Sequence, residues 1–143
     1  MGDRVPINPC NFNADAHAEC NAEGKDIVLR YLREQGIRAE DNTQQNRYAV
    51  DFIIEDGFGD VEVRSVWSGA KYPFRTIHVP YRKKKYVELG KFLYFVINKQ
   101  RTHMLICNGE SIKNSKVVII DTTRSHDESF YDVPIEEFKL ENI

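Results

Sequence analysis

Two short apolar runs joined by a glycine-containing turn restrict the fold of this chain more than any other feature. Residues 50–54 form the first run and residues 61–66 the second, and Asp51 lies within the first. The segment between them contains Asp56-Gly57, a pair that is typical of tight turns. The pattern predicts a β-hairpin, with Asp51 brought beside Glu62 on the neighbouring strand.

Alternation along the second run indicates which side chains share a face of the hairpin. Successive side chains of a strand point to opposite faces, so Glu62 and Arg64 lie on one face and Val61 and Val63 on the other. Two carboxylates and a cation would therefore converge. Carboxylates hold divalent ions and a cation stabilises charge on phosphorus oxygens, so the residue types favour metal-assisted cleavage of a phosphodiester.

Length and composition are those of one globular domain spanning residues 1–143. Of the 143 residues, 41% are hydrophobic and 29% are charged, which is ordinary for a globular protein. No apolar run reaches the length of a membrane span, and the N-terminus has no signal-peptide core. The three cysteines form no disulfide framework. We therefore expect no membrane partner and a cytoplasmic or otherwise intracellular location.

Charge is distributed unevenly along the chain. Residues 64–101 contain ten basic residues and one acid, Glu88, so this segment carries +9 although the whole chain carries −2. A basic middle beside an acidic pair predicts DNA as the partner, and a solvated charged face is the alternative. The candidate nucleic-acid-binding residues are Lys71, Arg75, Arg82, Lys83, Lys84 and Lys85. Tyr81 and Tyr86 flank the basic run and could stack on bases.

The order of predicted elements is that of a mixed α/β domain with a central sheet. Residues 1–13 read as an extended arm, and a helix is predicted from Asn13, its N-cap, to Gln35, with Gly36 ending it. Residues 38–47 read as a loop, and 109–143 as a C-terminal extension of the core. Strands are predicted near 48–55, 60–67, 74–79, 93–98, 103–107 and 117–120, a short helix near 82–89, and packing of 133–138 on a sheet edge.

Over residues 14–108 this order, with Asp51 and the triplet Glu62-Val63-Arg64, resembles the PD-(D/E)xK nuclease superfamily. The family core is a helix, a meander of strands, a second helix and a further strand. The resemblance implies a restriction-endonuclease-like fold. Two departures stand out, since Arg64 replaces the family lysine and Val50 replaces the proline. Many members add a glutamate from the first helix, and Glu23 or Glu19 could serve, with Glu23 closer to the apolar stripe.

The resemblance also implies a cofactor and catalytic roles. Asp51, Glu62 and the backbone carbonyl of Val63 would bind Mg²⁺ or Mn²⁺. Arg64 can stabilise charge but cannot act as a base, because its pKa is above ~12. Either metal hydroxide attacks and Arg64 is an electrostatic clamp, or cleavage has been lost and binding retained. Lys71 or Lys83 could replace the missing lysine. Such nucleases often act as dimers, so a homodimer through residues 93–107 or the tail is expected.

Two other groups of residues carry weaker signals. Cys10, His17, Cys20 and the distant Cys107 invite a zinc site, but structural zinc sites begin with a closely spaced cysteine pair that is absent here. His78 is predicted to be structural rather than catalytic.

Three functions therefore remain open on the sequence. The first is a metal-dependent DNA endonuclease. The second is a non-catalytic nucleic-acid-binding module on the same fold. The third is a protein-interaction domain whose basic surface meets an acidic partner.

Overall fold

The computed structural model describes residues 14–42, 50–121 and 128–143, with side chains of the first helix from Ala22 onward. The predicted N-terminal arm and Asn13 lie outside these residues. The elements are helices α1 (Ala14–Glu34), α2 (Lys84–Val87) and α3 (Gly109–Lys113), 3-10 turns at Tyr81–Lys83 and Ile135–Glu137, and strands β1 (Ala39–Asp41), β2 (Phe52–Ile54), β3 (Gly57–Val63), β4 (Thr76–Pro80), β5 (Phe92–Ile97), β6 (His103–Asn108), β7 (Lys116–Ile120), β8 (Glu128–Pro134) and β9 (Lys139–Asn142).

The strands form two sheets. The larger has the order β1-β2-β3-β5-β6-β9, and the smaller has the order β4-β8-β7. Within the larger sheet β3 and β5 are parallel and the other neighbours are antiparallel. The mixed α/β class is confirmed, but the strands are divided between two sheets where one central sheet was predicted.

Helix α1 covers one face of the larger sheet. Its apolar side chains Ile27, Val28 and Leu32 belong to the same buried cluster as Phe52, Ile54, Val61, Phe95, Ile97 and Met104. Gly24 permits this approach, because a Cβ there would lie 3.3 Å from Cγ2 of Val63. Gly36, with φ of 75°, follows the helix end and its amide bonds back to Arg33, as predicted for a terminating glycine.

The opposite face of the larger sheet packs against the smaller sheet. Trp67, at 0% exposure, is the largest side chain in this second core. The cluster also contains Tyr94, Val96, Leu105 and Cys107 from the larger sheet and Ile77, Val79, Tyr131 and Val133 from the smaller one. The polar face of the β2–β3 hairpin therefore faces the space between two sheets.

Several predicted boundaries differ from the structure. A short strand, β1, occupies part of the predicted loop 38–47, where it pairs with β2. The β2–β3 turn is tighter than predicted, since Ile54 pairs with Gly57. Glu55, with φ of 51°, supplies the left-handed residue of this turn. The tail is not confined to a sheet edge, because β8 lies between β4 and β7.

The interior position of β5 and β6 excludes one way in which residues 93–107 could join two copies, which is edge-to-edge strand pairing. Both β5 and β6 have a hydrogen-bonded neighbour on each side, so neither can add a strand from a second copy. The strand of the tail, β9, does lie at a sheet edge. No helix in the described ranges is long and apolar enough to cross a membrane.

Candidate functional site

Acidic side chains converge on the hairpin face that looks toward the smaller sheet. The pairing of Phe52 with Gly59 places Asp51 opposite Asp60, with Glu62 two residues further along the same face of β3. The amide of Asp51 donates to Oδ1 of Asp60 at 2.8 Å, and the amide of Val61 donates to Oδ2 of Asp51 at 3.0 Å. Asp51 is therefore bonded to Asp60 and the amide of Val61, and its predicted place directly beside Glu62 is not the one observed.

Glu62 is held by two donors. The hydroxyl of Tyr94, on the neighbouring parallel strand, donates to Oε1 of Glu62 at 2.8 Å, and Nε of Arg64 donates to the same oxygen at 2.9 Å. Burial raises the pKa of the Tyr94 hydroxyl well above its ordinary value, and the Glu62 carboxylate adds to the rise. Tyr94 is therefore a neutral donor, and the side chain of Glu62 remains 42% exposed.

The guanidinium of Arg64 joins the two sheets. Besides Glu62, it donates through Nη1 to the hydroxyl of Tyr72 at 2.9 Å and through Nη2 to the carbonyl of His78 at 3.0 Å. Burial acts to lower the pKa of Arg64, but the Glu62 carboxylate and the hydroxyls of Tyr94 and Tyr72 together outweigh it, and the net shift is upward. Arg64 is thus a permanent cation with all three nitrogens engaged.

A lysine from the smaller-sheet side completes the cluster. The 3-10 turn after β4 directs Nζ of Lys83 to 2.7 Å from Oδ2 of Asp60. The two side chains are 12% and 5% exposed. Burial raises the pKa of Asp60 to about 6, with a further rise from Asp51, although the Lys83 ammonium acts in the opposite direction. The hairpin and the element after β4 are therefore joined by a nearly buried ion pair.

The structure does not bring Glu23 to this cluster. Glu23 forms an ion pair with Arg101 at 2.9 Å, on a helix that packs against the other face of β3 through Gly24. The helical projection placed Glu23 beside the apolar stripe correctly, but it could not show that the stripe and the acids lie on opposite faces. The side chain of Glu19 lies outside the described residues. Val63, the third predicted metal ligand, is the last residue of β3.

The basic run does not point in one direction. Lys83 turns inward, whereas Arg82 pairs with Glu128 at 3.1 Å. Lys84 lies over the ring of Tyr81 and Lys85 over the ring of Tyr86. In this conformation Lys83 is therefore paired with Asp60 rather than exposed, and contact of the four cations with DNA stays a prediction. The other predicted cations, Arg82, Lys84, Lys85, Lys71 and Arg75, are all exposed.

Two minor predictions can also be placed. Nε2 of His78 lies 3.2 Å from Oδ1 of Asp132 on the paired strand, which fits a structural histidine. Cys107 is buried and free, and burial raises the pKa of its thiol to about 12, so it is a poor metal ligand there. Cys10 and the side chains of His17 and Cys20 lie outside the described residues.

Three participants were missed from the sequence: Asp60, Tyr72 and Tyr94. Asp60 could have been found by counting, because a two-residue turn at Glu55-Asp56 places Asp51 opposite Asp60. The tyrosines come from a loop and from the parallel strand β5, and no local pattern in the sequence identifies that pairing.

The cluster provides the ligand types that magnesium accepts, but few of them. Across the described ranges, no three or more histidine, cysteine or acidic side chains are arranged to hold a metal. Asp51 accepts its hydrogen bond through Oδ2 and Glu62 through Oε1, which leaves Oδ1 and Oε2 for an ion. Mg²⁺ keeps several waters and is commonly bound by one or two carboxylates. The two carboxylates are therefore of the ligand type that a magnesium ion with several bound waters would accept.

No protein-family model matches the chain, and no curated protein is significantly similar to it.

Proposed function

We propose that this protein is a Mg²⁺-dependent DNA endonuclease with a restriction-endonuclease-like core of the PD-(D/E)xK type. The observation that carries the proposal is the 2.7 Å approach of the Lys83 ammonium to Asp60. The triplet Glu62-Val63-Arg64 lacks the lysine of the resembled family, and Lys83 supplies one to the same acid cluster from a neighbouring element. The order of α1, the β2–β3 hairpin, α2 and β5 is consistent with that core.

Each side chain then has a distinct part in the reaction. Asp51 and Glu62 hold the ion through their remaining carboxylate oxygens. A bound Mg²⁺ supplies an acidified water and stabilises charge on the phosphate. Arg64 fixes the orientation of Glu62, and Lys83 provides the cation nearest the cluster that could turn toward a phosphate. Mn²⁺ can replace Mg²⁺ because it also prefers oxygen ligands.

The decisive experiment is cleavage of a panel of supercoiled, branched and single-stranded DNA with and without Mg²⁺ or Mn²⁺. We expect metal-dependent cutting that falls to the metal-free level in Glu62→Gln, because the variant loses a charged ligand but keeps its shape. Glu110→Gln, at an exposed position of helix α3, is the matched control and should cut normally. Absence of cutting by the parent protein on every substrate would refute the proposal.

The exposed lysines give a second test, on binding. Changing Lys84 and Lys85 to Gln should weaken binding to all DNA sequences and lower the salt slope by about 1 for each phosphate that is no longer neutralised. Lys83 is left unchanged because it holds Asp60. Lys113→Gln, on α3, is the control. An unaltered affinity and slope in the double variant would mean that these lysines are only a solvated face.

A non-catalytic nucleic-acid-binding module is the alternative, and one observation favours it. Glu62 is already paired with Arg64 at 2.9 Å, so one of the two proposed metal ligands is neutralised without a metal. DNA binding without cleavage would support this function. If the protein neither binds nor cleaves DNA, the protein-interaction domain remains, in which the exposed cations contact an acidic partner.

A further inference from the structure

We propose that Phe74 is a stacking platform for an unpaired nucleobase, and hence that the DNA recognised by this protein contains single-stranded nucleotides. The inference rests on the proposed DNA-directed function and specifies the form of the substrate. It concerns residues 65–75, the connection that follows β3, which we call the aromatic loop.

The side chain of Phe74 faces solvent, whereas the other aromatic side chains of the aromatic loop are buried in the core. Its side chain is 56% exposed, whereas Trp67 and Tyr72 of the same loop are 0% and 7% exposed. Apart from Phe74, no aromatic residue appears among the exposed large hydrophobic residues of the described ranges. An aromatic face open to solvent has apolar area to gain by stacking on a base.

Contacts connect Phe74 to the acid cluster through two side chains. The rings of Phe74 and Tyr72 meet edge to face with centroids 5.8 Å apart. The hydroxyl of Tyr72 accepts from Arg64 at 2.9 Å, and Arg64 binds Glu62. Phe74 is therefore joined to Glu62, one of the carboxylates proposed to hold the metal, through Tyr72 and Arg64.

Hydrogen bonds and ring packing tie the aromatic loop to the residues around it. The buried side chain of Asn98 donates to the carbonyl of Gly69 at 2.9 Å. Gln100 accepts from the amide of Gly69 at 3.0 Å and donates to Ser68 at 2.6 Å. The ring of Trp67 packs against Tyr72 with centroids 5.6 Å apart. A preorganised aromatic loses little entropy when a base stacks on it.

Charge on the loop matches a nucleic acid better than an apolar peptide. Lys71 and Arg75 are both exposed, and residues 64–75 contain no acid. Cations on both sides of an exposed aromatic in the sequence can contact the phosphates that flank a stacked base. The pattern is the one used by proteins that bind single strands with little sequence preference.

The test compares two DNA forms by fluorescence anisotropy in EDTA, where no cleavage can occur. The probes are a labelled oligothymidylate and a blunt duplex of matched length. Phe74→Ala should weaken binding of the single strand by about 5- to 150-fold and change duplex binding by less than about twofold. Phe74→Trp should retain single-strand affinity, and Phe74→Leu, which is apolar without an aromatic face, should not. Ile119→Ala, an exposed apolar change on β7, is the control.

Each other outcome has a defined meaning. Equal losses on both probes, or none on the single strand, would overturn the base platform. Self-association that Phe74→Ala abolishes, seen by sedimentation without any single-strand effect, would assign the surface to a second copy. Phe74-dependent binding without metal-dependent cutting would leave the platform standing and remove the endonuclease. Metal-dependent cutting, together with unchanged single-strand affinity in Phe74→Ala, would support the endonuclease and overturn the base platform.

Discussion

Replacing Lys83 with Met should destabilise the protein by roughly 3–5 kcal/mol at about pH 8, the usual cost of leaving one member of a buried ion pair uncompensated. The side chain of Asp60 is 5% exposed, so its ionised carboxylate has little access to water once Lys83 is gone. The destabilisation would be measured by urea unfolding. Lys84→Met, at an exposed neighbouring position, should change stability by less than about 0.5 kcal/mol.

The pH dependence distinguishes a broken ion pair from a simple packing defect. The pKa of Asp60 is raised from 3.8 to about 6 in the folded protein. Its contribution to stability is therefore fully present below 3.8 and lost as the pH rises through about 6. Without the Lys83 ammonium this pKa rises further, so the Lys83→Met penalty should shrink at about pH 5. Adding Asp60→Asn should restore most of the stability at about pH 8, and an equal penalty at both pH values would contradict the explanation.

Arg64→Met should cost roughly 3 kcal/mol or more, because one guanidinium supplies three hydrogen bonds in a site where its side chain is 19% exposed. The carbonyl of His78 and the hydroxyl of Tyr72 would lose their donor, and Glu62 would lose its ion-pair partner. Thermal unfolding is the measurement. Arg82→Met, which removes an exposed pair with Glu128, should cost less than about 1 kcal/mol.

Arg64→Lys separates the structural role of this position from its catalytic role. A single ammonium cannot reproduce the planar fork that reaches Glu62, Tyr72 and His78 together, so we expect a stability loss of about 1–3 kcal/mol. If cleavage nevertheless rises at a temperature where the variant is folded, Arg64 is a degenerate catalytic position. A stability equal to that of the parent would show that the hydrogen bonds to Tyr72 and His78 contribute nothing net.

Local patterns in the sequence were enough to predict the features that depend only on neighbouring residues, such as helix ends and the alternation of side chains along a strand. The helix ends at Gly36 as expected, the short helix follows Pro80, and the alternation in residues 61–64 placed Glu62 and Arg64 on one face. The register of the β2–β3 hairpin was not predicted correctly, because its turn was predicted to be longer than the two residues observed. The predicted pairing placed Asp51 beside Glu62, two residues from its observed partner Asp60, and Asp60 was missed for this reason.

The parts that could not be predicted depend on long-range pairing. β4 pairs with β8, from Thr76 opposite Pro134 to Pro80 opposite Phe130, and no local signal indicates this partner. The inward turn of Lys83 follows from that second sheet, since three consecutive lysines read equally as a solvated face. The separation of Glu23 from the acids has the same origin, because only the assembled sheet shows which face the helix covers.

The parallel pairing of β3 with β5 has a consequence for the order of folding. The β2–β3 hairpin closes through a two-residue turn, and hairpins of this kind form in about 1–10 μs. Closure brings Asp51 opposite Asp60 before either has a cation, because Lys83 arrives only with the long connection between the parallel strands. Like charges opposite each other destabilise a hairpin. At neutral pH the isolated hairpin is therefore a poor folding nucleus. The repulsion between Asp51 and Asp60 is offset only when the segment that carries Lys83 has docked.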